Sequence, residues 1–307
     1  MNATMRRAAE DYLALRRAVG FKLEHPGRLV LQFADHLDQL GAVEITVDAA
    51  VSWARQPANA SPMWWGYRLS AVRGFTAYLH PRMPGIDIPP PDLLPLRAQR
   101  ATPYLYSAEE LVALMTAART LRSALLAATY ETLIGLMAVT GLRLGEALNL
   151  DRSDVDLTHG MLVVRNGKYG KSREVPLHPS TARALRDYAR RRDQLVRPAG
   201  PNFFLSTVGT RLSESRVEAT FRDLVRRAGL RPRSSRCRPR LHDLRHSVAV
   251  NTVLDWYRQG DDVQAKMPLL STFLGHVDPS ATYWYLSTAP ELMALACARL
   301  ERQEPQP

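Results

Sequence analysis

The sequence predicts a mainly helical chain with one small antiparallel β-sheet, an α+β fold in two domains. Three observations carry that reading. Apolar residues recur at three- and four-residue spacing through most of the chain. One segment, residues 154–178, alternates apolar and polar residues around two glycine turns. A proline-rich stretch, PGIDIPPPDLLPLRAQRATPY, interrupts the helical pattern after residue 83. At 307 residues and 46% hydrophobic, the chain is long enough to bury two ordinary cores.

Taken in order, residues 1–88 read as a small all-helical domain of four helices. The best marked is SPMWWGYRLSAVRGFTAYL, where Ser61 caps the first turn and Pro62 takes the first helical position. HPGRLVLQFADHLDQLG and ITVDAAVSWA carry apolar residues at helical spacing. Residues 89–106, rich in proline and bearing Arg97 and Arg100, read as a linker. At Ser107 the run SAEEL forms a capping box with Glu110, and a second domain, 107–307, begins there. The apolar run 123–142 is interrupted by Glu131 and reads as a buried helix, not a membrane span. The alternating segment then predicts a strand, a hairpin with Gly167 and Gly170 in its turn, and a second strand. Helices follow in STARALRDYARRRDQL, SESRVEATFRDLVRRAGL, LHDLRHSVAVNTVLDWYRQ and APELMALACARLERQ.

Forty-one Lys and Arg against 30 Asp and Glu leave a formal charge of +11, which attracts polyanions and favours nucleic acid as a partner. The charged, amphipathic N-terminus has no apolar stretch of signal-peptide type. Cys237 and Cys297 lack the spacing of a zinc site or a disulfide framework, in keeping with a reducing compartment. A cytoplasmic protein is expected.

Several constellations can carry chemistry. In TGLRLGEALNL, Arg143 stands early in an apolar helix with Glu146 three residues on, which is either an ordinary surface ion pair or a guanidinium held in one rotamer. In RLHDLRH, His242 and Arg245 share a helical face and can address one anion. His242 and His246 could instead hold a metal, but no third ligand pattern accompanies them and no metal is expected. The stretch RPRSSRCRPRLHDLR (231–245), with Arg236, Arg238 and Arg240, is either a solvated basic face or a phosphate-binding surface. NGKYGKS resembles a nucleotide-binding loop, yet Arg165 stands where that motif needs glycine. What remains there is Lys168 at a hairpin tip, with Lys171 and Arg173 beside it.

The order and spacing of TGLRLGEAL, NGKYGKSREVPL, LHDLRHS and LGHVDPSATYWYL, preceded by a small helical domain, resemble the tyrosine recombinase (phage integrase) family, of Xer or transposon type. The resemblance implies an N-terminal SAM-like core-binding domain and a C-terminal catalytic domain that close around double-stranded DNA. It implies that Arg143 and Arg245 clamp the phosphate, that Lys168 is the hairpin lysine, that His242 and His276 are the two histidines, and that Tyr285 is the nucleophile, supported by Glu146. Arg97, Arg100, Lys171, Arg173, Arg236, Arg238 and Arg240 are expected DNA contacts. Between LRHS and LGH the chain is longer than in Xer-type members, so a rearranged loop is expected before His276.

The chemistry suits these residues. Guanidinium forks bind two phosphate oxygens and stay charged as the pentavalent phosphorus develops. A tyrosine with an ordinary pKa of about 10 needs a base or a cationic pocket. Two residues apart on a helix subtend roughly 200°, so Tyr283 and Tyr285 cannot both face one phosphate, and the family's spacing selects Tyr285. A phosphotyrosyl bond conserves the diester's energy, so no cofactor is expected. The expected function is site-specific recombination through a 3′-phosphotyrosyl intermediate, in integration, excision, transposition or dimer resolution. The alternatives are a type IB topoisomerase-like enzyme and a non-catalytic regulator of the same fold. Four copies on DNA, a monomer off it, docking through the last helix, and accessory recombination proteins complete the expectation, with the protein at the bacterial nucleoid and no membrane contact.

Overall fold

The computed structural model describes residues 4–95, 101–165, 172–196, 200–276 and 282. The chain divides into two compact units, Met1–Arg100 and Ala101–Pro307. Four helices build the first: α1 (Met5–Ala18), α2 (Glu24–Leu40), α3 (Val47–Arg55) and α4 (Pro62–Leu79). Their starts are written in the sequence. Thr4, Thr46 and Ser61 each turn a side-chain oxygen to a backbone N–H of the first turn, and Pro62 occupies the first position of α4. Leu13, Leu29, Phe33, Leu37, Trp53, Leu69, Val72 and Phe75 fill the core between them.

The second unit contains α5 (Ala108–Arg119), α6 (Ala124–Thr140), the short α7 (Leu144–Leu148), strands β1 (Val155–Asp156), β2 (Met161–Val164) and β3 (Arg173–Pro176), then α8 (Pro179–Leu195), α9 (Glu214–Arg227), α10 (Asp243–Gln259) and α11 (Val263–Leu274). Ser107 and Glu110 form the expected box, Ser107 Oγ accepting from Glu110 N at 3.2 Å and Glu110 Oε2 from Ser107 N at 2.9 Å. The sheet is antiparallel in the order β1-β2-β3, one short strand more than the sequence signalled. Two-residue β1 is too short to show an alternation.

Two expectations differ from the structure in detail. Tyr104 and Tyr106, assigned to the linker, are buried in the second unit's core, and Tyr106 N donates to Ser247 Oγ at 2.9 Å. Their aromatic surface outweighs the loop signal of the prolines before them. The segment before His276 is an ordered helix, α11, where a rearranged loop was expected. Asp262 caps it, and Val263, Met267, Leu270 and Leu274 pack against Ala249, Val250, Val253 and Leu254 of α10. Pro268 lies inside α11 on its exposed side, where it supplies no N–H to the preceding turn. No helix among the described residues is long and apolar enough to cross a membrane.

Candidate active site

The site assembles at the C-terminal end of α11. A helix end leaves carbonyls without intrahelical partners and carries partial negative charge. Three arginines from three other elements take three successive carbonyls there. Arg173 Nε of β3 donates to Phe273 at 3.0 Å, Arg245 Nη2 of α10 to Leu274 at 2.7 Å, and Arg143 Nη2, just before α7, to Gly275 at 3.1 Å. Arg245, only 1% exposed, also donates to the Gly141 carbonyl at 2.7 Å, so the ends of α6 and α11 converge on its charge. Gly141 and Gly275 make these ends possible, since both close their helices at positive φ (62° and 69°).

Glu146 is the carboxylate among these guanidiniums. Its Oε1 accepts from Arg143 Nη1 at 2.7 Å and Arg173 Nη1 at 3.1 Å. Its Oε2 accepts from Arg143 N at 3.0 Å and Arg173 Nη2 at 2.9 Å. The side chain is 6% exposed, which rules out the ordinary surface pair. Burial pushes the Glu146 pKa up, but the hydrogen bonds from Arg173 and Arg143 and their charge outweigh it and hold it down at about 2. Arg143 stands at the N-cap of α7, one position before the helix in which the sequence pattern places it.

Burial and neighbouring cations favour the neutral form of His242, His246 and His276. Burial first, then the charges of Arg245, Arg143 and Arg173, lowers His276 to about 4. Its Nδ1 lies 2.7 Å from Thr282 Oγ1. Burial, then Arg245, lowers His242, a residue solvent-exposed on one side and crowded by protein on the others. It directly precedes α10. Its ring meets His246 edge to face at 4.9 Å, and burial followed by the His242 interaction takes His246 to about 3. His246 Nε2 is 3.9 Å from Asp243 Oδ1, three residues earlier and so a neighbour on the helix surface. Among the described residues no group of three His, Cys, Asp or Glu is placed to hold a metal ion.

Arg143, Glu146, Arg245, His242 and His276 are thus brought together. Lys168 and Tyr285, with Tyr283, Lys171, Arg97 and Arg100, lie outside the described residues. Arg236 and Arg238 are exposed. Two of the residues expected to contact DNA already hold acidic partners. Arg173 turns inward, 13% exposed, its charge committed to Glu146. Arg240 is exposed but forks onto the buried Asp243 at 2.9 and 2.8 Å, which already neutralises it. The signal for Arg173 was present in the strand's period of two: it shares a face with fully buried Val175 and stands opposite Val164 of β2. Thr282 had no local signal.

The profile of the phage integrase family matches residues 105–291. The integrase/recombinase y4rB of Sinorhizobium fredii is 44% identical over 98% of both chains. The tyrosine recombinase XerC of Azotobacter vinelandii is 31% identical over 71% of this chain and 67% of its own length. A crystal structure of the XerH site-specific recombinase bound to palindromic difH substrate superposes with a TM-score of 0.65 at 19% identity, covering 97% of this chain and 85% of the other.

Proposed function

This chain belongs to the phage integrase family, and we infer that it is a site-specific DNA recombinase that cuts and rejoins DNA through a covalent phosphotyrosyl intermediate. The observation that carries the reading is the convergence of Arg143, Arg245 and His276 on the Leu274–Gly275 turn. Two guanidiniums and an imidazole gathered at one helix end suit a phosphodiester.

In this reading Arg143 and Arg245 bind the non-bridging oxygens and neutralise the charge that grows on them. The Tyr285 oxygen attacks phosphorus, and the bond from phosphorus to the 5′ oxygen breaks. His242, whose neutral form burial favours, takes the phenolic proton, and Lys168 protonates the departing 5′ oxygen. With the Thr282 hydroxyl donating to Nδ1 of His276, Nε2–H points to a phosphate oxygen. Attack of a 5′ hydroxyl on the phosphotyrosine reverses every step, so bond energy is conserved. Residues 1–88 act as the core-binding clamp and the second unit, Ala101–Pro307, as the catalytic domain. Four copies assemble on two duplexes, and residues 289–303 dock into a neighbour. Accessory proteins and a nucleoid location belong to the same reading. The topoisomerase-like and regulatory alternatives are not favoured, because the relatives are named as recombinases.

The test is covalent trapping. Wild type, Tyr285→Phe and Tyr283→Phe are incubated with labelled, nicked DNA from the element's own ends, then denatured. An adduct lost only in Tyr285→Phe is expected. Loss only in Tyr283→Phe overturns the nucleophile, and no adduct from wild type on a confirmed binding site overturns the enzyme reading.

A further inference from the structure

Arg173 commits its hydrogen bonds to a closed circuit. Its Nη1 and Nη2 bind the two oxygens of Glu146, and Nε binds the Phe273 carbonyl. Glu146 in turn holds Arg143 Nη1 at 2.7 Å, and Arg143 Nη2 reaches the Gly275 carbonyl, two residues along from Phe273. The ring runs from β3 to α7 to the end of α11 and back. We propose that Arg173 is a positioning residue for strand cleavage, which sets Arg143 and His276 at a fixed separation by tying Glu146 to the end of α11 and makes no contact with DNA. The proposal rests on the recombinase reading above.

Two independent features support it. The first is the absence of a side chain at Gly275. A Cβ there would lie 2.6 Å from Arg173 Nη1 and 2.8 Å from its Cζ, so the guanidinium fills the space that glycine leaves. The backbone at φ 69° turns the chain toward His276 at the same point. The second is the division of labour around Glu146. Arg143 and Arg173 share the carboxylate, yet Arg143 is 25% exposed and Arg173 13%. Both Nη atoms of Arg173 lie on the two oxygens of one carboxylate, which offsets its charge, whereas Arg143 gives that carboxylate one Nη and Arg245 binds neutral carbonyls through both of its own. Lysine cannot replace Arg173 in the ring. Its single ammonium has no planar fork to match both carboxylate oxygens and a carbonyl on another side.

The experiment uses the full chain with the nicked duplex described above, in wild type, Arg173→Lys, Arg173→Gln, Glu146→Gln and the Arg173→Gln/Glu146→Gln double variant. DNA affinity is measured across a salt series, and the rate of adduct formation in single turnover at saturating protein. Affinity within about 3-fold of wild type with an unchanged salt slope is expected, alongside a cleavage rate lower by on the order of 100-fold in Arg173→Gln, as for a misplacement of about 1 Å, and by about 10-fold in Arg173→Lys. The double variant should cleave no more slowly than the slower single variant, because both act through one ring.

A salt slope shallower by about one unit would make Arg173 a phosphate contact and overturn the proposal. So would wild-type cleavage by either Arg173 variant, or full additivity in the double variant. Should Arg173→Gln fail to fold, Arg173→Lys decides alone: a folded lysine variant with wild-type cleavage overturns the proposal, and one with wild-type affinity and slowed cleavage supports it. A wild type that binds the site and forms no adduct sinks the recombinase reading, and this proposal with it.

Discussion

Arg143 and Glu146 are joined twice: the carboxylate accepts the Arg143 backbone N–H at 3.0 Å and its Nη1 at 2.7 Å. One side chain therefore closes the first turn of α7 and fixes the rotamer of the guanidinium in front of it. Removing the carboxylate leaves Arg143 and Arg173 facing each other across a buried gap. Glu146→Ala is expected to lower folding stability by about 3 kcal/mol, read as the shift in urea midpoint at constant slope. A change within about 0.5 kcal/mol would show that solvent replaces the carboxylate.

Arg245 is buried and forked between two helix ends, so its shape matters as much as its charge. Arg245→Lys keeps the charge and loses one of the two carbonyl bonds at Gly141 and Leu274. Adduct formation should fall by about 100-fold or more while DNA affinity changes by only a few-fold. Equal losses in both would place its role in ground-state binding.

Acid should weaken the fold before it reaches the carboxylates' own range. A histidine whose folded pKa is lowered holds its proton more weakly folded than unfolded, so the unfolded chain takes up protons first on acidification. Stability is full above about pH 6.5 and declines from there toward the folded values, about 4 for His276 and about 3 for His246. Glu146 adds to the acid limb in the same sense, because its folded pKa is also lowered: its contribution is complete above the unfolded value of about 4.3 and is lost as pH falls through about 2. Urea midpoints at pH 8, 7, 6 and 5 should be level at the first two and drop over the last two, less so in His246→Gln. A flat series from 7 to 5 contradicts the assignment.

Gly275→Ala should cost about 1–2 kcal/mol of stability from the positive φ alone, and it drives a methyl into the Arg173 guanidinium. Gly260, also at positive φ (76°), has open space where a Cβ would go, so Gly260→Ala carries the backbone cost without the collision. Slower adduct formation in Gly275→Ala than in Gly260→Ala is the expected result. Equal rates would mean that the turn before His276 tolerates movement.

Arg236 and Arg238 are exposed, and neither forms an ion pair among the described residues. Arg236→Gln and Arg238→Gln should each weaken binding by a similar factor on cognate and unrelated duplexes, and reduce the slope of log K against log salt by about 0.9 for each phosphate left unneutralised. A loss confined to the cognate duplex would assign base readout instead.

Local chemistry was legible in the sequence to the extent that it is local. Ser61 with Pro62, and Ser107 with Glu110, announce helix starts because their hydrogen bonds span three residues or fewer. The recombinase assignment follows from ordered motifs, and it needs no knowledge of how they meet. The direction of Arg173 was also encoded, through the alternation that puts it on the face of Val175, but its charge argued for the surface, and only its partner resolves the conflict.

Helical and strand segments, the excess of positive charge and the residues able to handle a phosphodiester all follow from the order of amino acids. That Arg143 meets Gly275 across 132 positions, Arg245 meets Gly141 across 104 and Arg173 meets Phe273 across 100 follows only from the packed chain. A carbonyl at a helix end accepts from any donor the packing brings within reach, so its partner is specified by how α6, α10, α11 and the sheet bury their apolar faces, and no spacing along the chain encodes it.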